Sequence, residues 1–501
     1  MERQIYLMEF ESVIGLEVHA ELETKSKMFC SCSVVDSTTA EPNTAVCPVC
    51  TGMPGALPVV NQRAVEYALR VALALECEIA HTSIFARKNY FYPDLPKGYQ
   101  ISQYEQPLAR NGHLAIQTME GEREIRIRRV HLEEDTGKLT HVHQDEEVYS
   151  LVDLNRAGLP LLEIVSEPDL RSAEEVRTFA TNLRSILRYL KVNSGDLEKG
   201  VMRIEPNISV RPLGSDELGT RVEVKNLNSF RALERSIDFE IKRQTREIRQ
   251  GKSIVQQTVG WDEDLGVTVL QRTKEEEDDY RYFPEPDLPP LVIEPEWIAT
   301  IRSALPELPG PKLHRFTQQY RLSEYDAGIL VAEQAVADYY EQVISALAEI
   351  SQEEVRPKTI ANWIIGELFG LLNQFGVPIE QTRVTPQGMA SLLLLVSLGE
   401  INQNTAKAVL AEMFSSGKPA DEIVAERGFA QISDSEFITE LVNQVLTANP
   451  DQVEEYVRGK DSIARWLFGQ VMRSARGQAN PQVLQRELDR QLSALRQTDG
   501  Q

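Results

Sequence analysis

At 501 residues the chain is too long for one core, and 42% hydrophobic with 26% charged residues suits a soluble globular protein of about two to four domains. A net charge of −23 excludes a protein that coats nucleic acid through bulk charge, because neutralising phosphates takes Lys and Arg. Residues 1–4 open no signal-like apolar stretch, and the longest apolar run, 392–396, is far short of the ~20 residues that span a bilayer. The run reads as a buried helix, and a cytoplasmic location is expected.

The first predicted element is a strand over 13–22. Ile14, Leu16, Val18, Ala20 and Leu22 fall on one face, and Gly15, Glu17, His19 and Glu21 on the other. Glu17 and His19 would stand ~7 Å apart along it. Such a face is a candidate divalent-metal platform, with Gly15 leaving room for a close approach to the backbone; the plainer alternative is a half-solvated strand.

Cys30-Ser31-Cys32 follows, and after fourteen residues Cys47-Pro48-Val49-Cys50. Two close pairs across a loop can place four thiolates around one zinc ion, a closed structural site with no position for catalytic water. Four unligated thiols or an iron–sulfur cluster are the alternatives. Cys77, near the end of an amphipathic helix opened by Asn61, reads as a packed core residue.

Residues 87–103 are basic, aromatic and turn-rich together, and Pro93, Pro96 and Gly98 argue against a regular element. Lys88 and Lys97 could hold phosphate oxygens, and the aromatics could stack a base or pack a loop. A strand pattern over 125–132 runs into Glu133-Glu134-Asp135, then Gly137 and Lys138, a set that suits Mg²⁺ with a phosphate nearby. Alone it would also suit a solvated acidic turn. Asp153 and Asn155 lie in a second acidic block, and Glu163 sits inside an apolar strand pattern, where an unpaired carboxylate is costly.

A helix is expected from about Ser172 to Leu190, strands over 202–211 and 221–230 joined by a turn-rich 212–219, and a helix capped by Asn228 or Ser229 and ending near Gly251. This mixture predicts an α+β domain with antiparallel hairpins. Gly251-Lys252-Ser253 resembles the end of a phosphate-binding loop, but Arg246 stands where the first glycine belongs and a helix precedes it, so Gly251 reads as a helix C-terminus. No G-x-G-x-x-G, H-E-x-x-H or G-x-S-x-G motif occurs. The acidic run 275–279 reads as a solvated turn, and the eight prolines of 284–311 as the exit from the first domain and a linker. Helical patterns dominate beyond. From 453 to 501 eight basic residues face six acidic ones, a mildly positive tail on an acidic protein.

Laid out in this way, the blocks 13–19, 87–103, 131–138, 151–169, 223–230 and 280–288, with Gly477-Gln478-Ala479-Asn480-Pro481 near the end, resemble the B subunit of the bacterial glutamyl/aspartyl-tRNA amidotransferases over essentially the whole chain. The resemblance implies a cradle-shaped α+β N-terminal domain with an antiparallel sheet and the zinc segment (1–294), a helical domain (295–410) and a small all-α, YqeY-like tail that engages tRNA (411–501). It implies an ATP-dependent ligase. The glutamate or aspartate esterified to tRNA(Gln) or tRNA(Asn) is phosphorylated, then amidated with ammonia channelled from the amidase (the A subunit), while the small C subunit straps the heterotrimer together. Carried over by position, Glu17, His19, Glu134 and Glu163 match the Mg²⁺ and ATP cluster. Lys88 and Lys97 match the phosphate-side lysines, with Asp153 and Asn155 in the same block. Cys30, Cys32, Cys47 and Cys50 match the zinc-containing members, and Arg473 and Arg476 would serve the tRNA-binding tail. One departure concerns the usual Arg-Cys-Asp-Ala-Asn, which here is Arg203-Ile204-Glu205-Pro206-Asn207. That puts any ligand or channel role of the usual aspartate in doubt for Glu205. Against the catalytic reading stands a noncatalytic zinc-bearing tRNA scaffold; a zinc hydrolase is disfavoured by the closed four-cysteine set.

Overall fold

The computed structural model describes residues 9–144, 147–273, 280–351, 355–429, 435–475 and 479–498, so the acidic run 275–279 and Arg476 lie outside the described residues. The chain divides into two compact units between Pro311 and Lys312.

The first unit carries sixteen described strands. They are β1 (Phe10–Glu21), β2 (Glu78–Ile79), β3 (Thr82–Ser83), β4 (Ala86–Asn89), β5 (Tyr99–Ser102), β6 (Ala109–Thr118), β7 (Gly121–Glu134), β8 (Lys138–Gln144), β9 (Glu147–Asp153), β10 (Pro160–Ser166), β11 (Met202–Pro212), β12 (Val222–Lys225), β13 (Gln257–Asp262), β14 (Val267–Thr273), β15 (Phe283–Pro284) and β16 (Leu291–Val292). Nine form one sheet in the order β14-β13-β12-β11-β1-β10-β7-β6-β2. Every neighbouring pair in it is antiparallel except β12 with β13. The expected α+β class with an antiparallel-dominated sheet and a helical C-terminal region is what the chain adopts.

β1 lies at the centre of that sheet because its two faces differ. Ile14, Leu16, Val18, Ala20 and Leu22 are buried in the core, at 2% exposure or less. The helices α1 (Gln62–Ala74), α2 (Ala173–Tyr189) and α3 (Phe230–Arg249) cover that core, packing on β7, β6 and β11 respectively. Each starts on the side chain its sequence offers. Asn61 accepts from Arg63 N at 2.9 Å, Ser172 from Glu175 N at 3.1 Å and Ser229 from Ala232 N at 3.1 Å, contacts worth about 1 kcal/mol each. Gly251 follows α3 with φ +75°, as a helix C-terminus requires. Cys77 packs just beyond α1 at 6% exposure, and burial pushes its thiol up to about 12.

Three expectations change. The segment 87–103 is not wholly irregular: its ends form the β4–β5 hairpin, and Pro93, Pro96 and Gly98 occupy the connection. The proline-rich 284–311 is not a bare linker. It contains β15, β16 and the helix α4 (Pro295–Ser303), and sends Leu288, Ile293 and Ile301 into the first core. Prolines tolerate this because they sit at strand edges and in the first turn of α4. The Leu-rich helix Pro386–Ser397 buries Leu392 and Leu393 but leaves Leu398, just beyond it, 46% exposed, so only one face is core.

The second unit is helical. One core runs from Phe316 to Val424 and a second from Ile438 to Leu492. The helix Gln403–Ser416 belongs wholly to the first of these, with Val409, Leu410, Met413 and Phe414 buried in it. No helix among the described residues is long and apolar enough to cross a membrane.

Candidate functional site

The strand pairings place the polar side chains. His19 on β1 lies opposite Glu163 on β10, and Glu163 lies opposite His131 on β7. Opposed residues share a face, and Glu133, two residues beyond His131, shares it as well. His19 Nε2 is 3.6 Å from Glu163 Oε2 and 3.7 Å from Glu133 Oε1, and His131 Nε2 is 3.1 Å from Glu163 Oε2. One ligand atom from each of His19, Glu133 and Glu163 falls within 4.8 Å of the others. Ser102 donates to Glu133 at 3.2 Å and fixes its carboxylate.

Charge holds this cluster together despite burial. Burial alone would raise Glu163, but the imidazoles of His131 and His19 hold it well below the ordinary carboxylate range. Burial would lower His19, but the hydrogen bond and charge of Glu163, with Glu205 and Glu133, push it up to about 9. Nδ1 of both histidines is buried without a hydrogen-bond partner. Lys88, on β4, adds a cation from one side. Burial would lower it, yet Glu133, Tyr282, Glu163 and Tyr90 hold its ammonium above the ordinary lysine range, 5.0 Å from the Tyr280 ring. Two carboxylates and an imidazole converging in a shielded place fit a divalent cation.

Glu134 does not join them. It is the next residue of β7, so it points to the other face, and there Lys97 meets it at 2.6 Å while the Ile101 N–H donates to it at 2.9 Å. That ion pair lies in a separate cavity of about 170 Å³ lined also by Cys30, Cys50, Gly52 and Met53. Of the residues expected together, Glu163 and Lys88 stand with His19, whereas Glu134 and Lys97 pair on the other face, and Glu133, which was not among them, joins His19. The period-2 rule, applied from His131, would have selected Glu133. Gly15 is also read differently, since the backbone that comes near it is Pro168, at ordinary contact distance for a side chain there.

Glu17 belongs to a second group with Glu205 and Glu223, whose oxygens lie within 4.8 Å of one another. This group carries its own cation. Lys225 Nζ is 2.7 Å from Glu205 and 3.3 Å from Glu223, Asn207 donates to Glu17 at 3.1 Å, and Thr258 donates to Glu223 at 2.6 Å. Burial and then the Glu163 charge raise the Glu17 carboxyl. Asp135, third of the acidic run, is spent on Arg203, which donates to it twice, at 3.0 and 3.2 Å. Burial would raise that carboxyl, but Arg203 and Arg156 bring it down to about 2.

The four cysteines converge. All four Sγ atoms lie within 4.8 Å of one another, and Cys47 and Cys50 Sγ are 3.8 Å apart. A tetrahedron with ~2.3 Å metal–sulfur bonds has edges of about 3.8 Å. The residues therefore could hold a metal ion. Asp153 and Asn155 serve this loop. Asp153 accepts from Asn43 N and Asn155 N, both at 2.9 Å; Asn155 accepts from Ala45 N at 2.9 Å and donates to Glu41 O at 2.8 Å. Both side chains are thus engaged between the cysteine pairs and away from the His19 cluster. Gly52 is required beside them, since with φ +71° any Cβ would meet Lys97 Cγ at 2.7 Å. Arg473, in the last turn of the helix Ser462–Ser474, is exposed.

An antiparallel sheet with a buried acid–imidazole face, followed by helices, defines a class with known members. The GatB/GatE catalytic domain matches residues 12–299, and the GatB domain of the YqeY type matches residues 338–492. The chain is 50% identical over 477 residues to the B subunit of the aspartyl/glutamyl-tRNA(Asn/Gln) amidotransferase of Thermodesulfovibrio yellowstonii, covering 95% of this chain and 98% of that protein. It is equally similar to the proteins of that name from Persephonella marina, over 481 residues (96% and 99%), and Roseiflexus castenholzii, over 488 residues (97% and 100%). The chain belongs to the family of aspartyl/glutamyl-tRNA(Asn/Gln) amidotransferase B subunits, whose members are ligases of tRNA-dependent amidation.

Proposed function

We propose that this chain is the subunit that activates and amidates the side-chain carboxylate of glutamate on tRNA(Gln) or aspartate on tRNA(Asn), using ATP, within an assembly with the amidase A subunit and the small C subunit. The observation that carries this reading is the buried convergence of His19, Glu133 and Glu163 beside the charged Lys88. A carboxylate accepts ammonia poorly until one oxygen becomes a leaving group, and phosphorylation supplies that. Phosphoryl transfer asks a protein mainly for positioning and charge neutralisation. Glu133, Glu163 and His19 would hold Mg²⁺, which when bound supplies the charge neutralisation. Lys88, already charged and fixed between Tyr280 and Tyr90, can hold a phosphate oxygen without reorganising. The closely packed sheet face limits water, which favours ammonia over hydrolysis of the activated acyl group.

The cysteine cluster is read as a zinc site that shapes the loop between residues 30 and 50, since four protein thiolates leave no open position. Arg473 and Arg476 are read as part of a tRNA-binding tail. A noncatalytic scaffold would leave the buried acid–imidazole cluster without a task. The test is Glu163→Gln and Glu133→Gln in the assembled enzyme, with amidation of charged tRNA followed using an ammonium salt as nitrogen donor. Each should lose about 100-fold or more while tRNA affinity persists; full amidation by both variants overturns the reading.

A further inference from the structure

Tyr104 and Tyr282 come from segments far apart in the chain and meet face to face. Their ring centroids are 4.1 Å apart with only 10° between planes. Aromatic pairs prefer offset-stacked or edge-to-face packing, and Tyr282 does the second with Tyr280 at 6.1 Å and 77°. A parallel stack left half in solvent is a different object: Tyr104 is 44% exposed. The pair stands at the rim of the cluster. Tyr104 lies two residues beyond β5, whose Ser102 holds Glu133 and whose neighbour Gln103 accepts from Leu132 N at 3.0 Å. The Arg129 guanidinium is 5.6 Å from the Tyr104 ring centre, and its Nη2 is 3.8 Å from Glu163. Tyr280, which Tyr282 meets, carries the Lys88 ammonium 5.0 Å from its own ring centre, so the aromatic group is continuous with the cluster.

We propose that the Tyr104–Tyr282 stack is a base platform, on which an adenine ring is laid so that the group attached to it reaches the Glu133–Glu163 cluster. Stacking on exposed tyrosine tolerates any base and needs no hydrogen-bond partner, which suits a residue flanked by ion-paired side chains. Two sources carry that ring in the proposed reaction: ATP, and the terminal nucleotide of the charged tRNA. The inference rests on the reaction proposed above for its ligands, but not for its readout.

The experiment uses the assembled enzyme and two fluorescent probes, 2-aminopurine riboside triphosphate and a tRNA ending in 2-aminopurine. Stacking quenches the probe. One of the two should be quenched by the natural chain and not by Tyr104→Ala. The KM of the corresponding substrate should rise about 10-fold in Tyr104→Ala, with the loss in KM rather than kcat, and return with Tyr104→Phe. Quenching of the triphosphate assigns the platform to ATP, and quenching of the tRNA assigns it to the acceptor end. Unquenched probes of both kinds, or equal quenching in Tyr104→Ala, overturn the platform. Quenching without any amidation that depends on Glu163 leaves the platform standing and rejects the reaction instead.

Discussion

Two acidic groups sit side by side on one face of the same sheet, and they solve the same electrostatic problem in opposite ways. In the first, Glu133 and Glu163 meet His19 and His131, and the nearest lysine, Lys88, stands to one side. In the second, Glu17, Glu205 and Glu223 surround a cation of the chain itself, Lys225. A buried carboxylate must be neutralised, protonated or paired, because leaving it charged and alone costs several kcal/mol. The second group is complete as folded. The first is met by two imidazoles, with the Arg129 guanidinium a longer 3.8 Å from Glu163, and the imidazole protons can be given up to a divalent cation. The sheet thus keeps one closed acid site next to one that can be loaded, and β1 supplies a residue to each, Glu17 and His19.

The largest expected effect tests the loadable site against its neighbour on the far face. Glu133→Gln should weaken the dependence of amidation on Mg²⁺ by about 100-fold, read as the shift in the Mg²⁺ concentration for half-maximal rate. Glu134→Gln should leave that midpoint within about threefold, because Glu134 answers to Lys97 on the other side of β7. Equal shifts in the two variants would break the distinction.

Next in size is Lys225→Ala. Removing the resident cation leaves three carboxylates within 4.8 Å unneutralised. Losing one partner of a buried pair costs about 3 kcal/mol, here read as a fall in denaturation midpoint. Added Mg²⁺ or Ca²⁺ should then stabilise Lys225→Ala more than the natural chain, because the emptied group becomes a cation site of its own. A variant as stable as the natural chain, or one indifferent to added cation, would show that Lys225 does not stand in for an ion.

Much of this was legible in the sequence, for identifiable reasons. The two faces of β1 could be read because a half-buried strand must alternate, and the starts of α1, α2 and α3 because Asn61, Ser172 and Ser229 can each accept from an early helical N–H. The cysteine pairs announced themselves by spacing. What failed was the partition of consecutive acids. Glu133 and Glu134 differ by one position, and only the alternation within β7 separates a residue of the cluster from one behind the sheet. Asp153 and Asn155 carry the right chemistry for a ligand site, yet their neighbours in space, Asn43 and Ala45, are more than a hundred residues away in sequence. The pairing of Glu205 with Lys225 depends on the register of β11 and β12, and no local pattern encodes register between strands joined by a long turn.

The smallest expected effect bears on Glu205. Glu205 stands where the resemblance leads one to expect aspartate, and its longer side chain is what brings Oε2 to 2.7 Å from Lys225 Nζ. Glu205→Asp draws the carboxylate back by about one methylene, so Lys225 should lean on Glu223, already 3.3 Å away. One charge-assisted contact is then lengthened rather than lost, and the cost should stay below about 1 kcal/mol in a denaturant midpoint. Amidation should persist, since the ligand atoms of the His19 cluster come from Glu133 and Glu163, and Glu205 acts on His19 only through a charge that aspartate keeps. If Glu205→Asp instead abolished amidation with stability intact, Glu205 would have to act on a substrate rather than on Lys225, and the second group could no longer be regarded as closed.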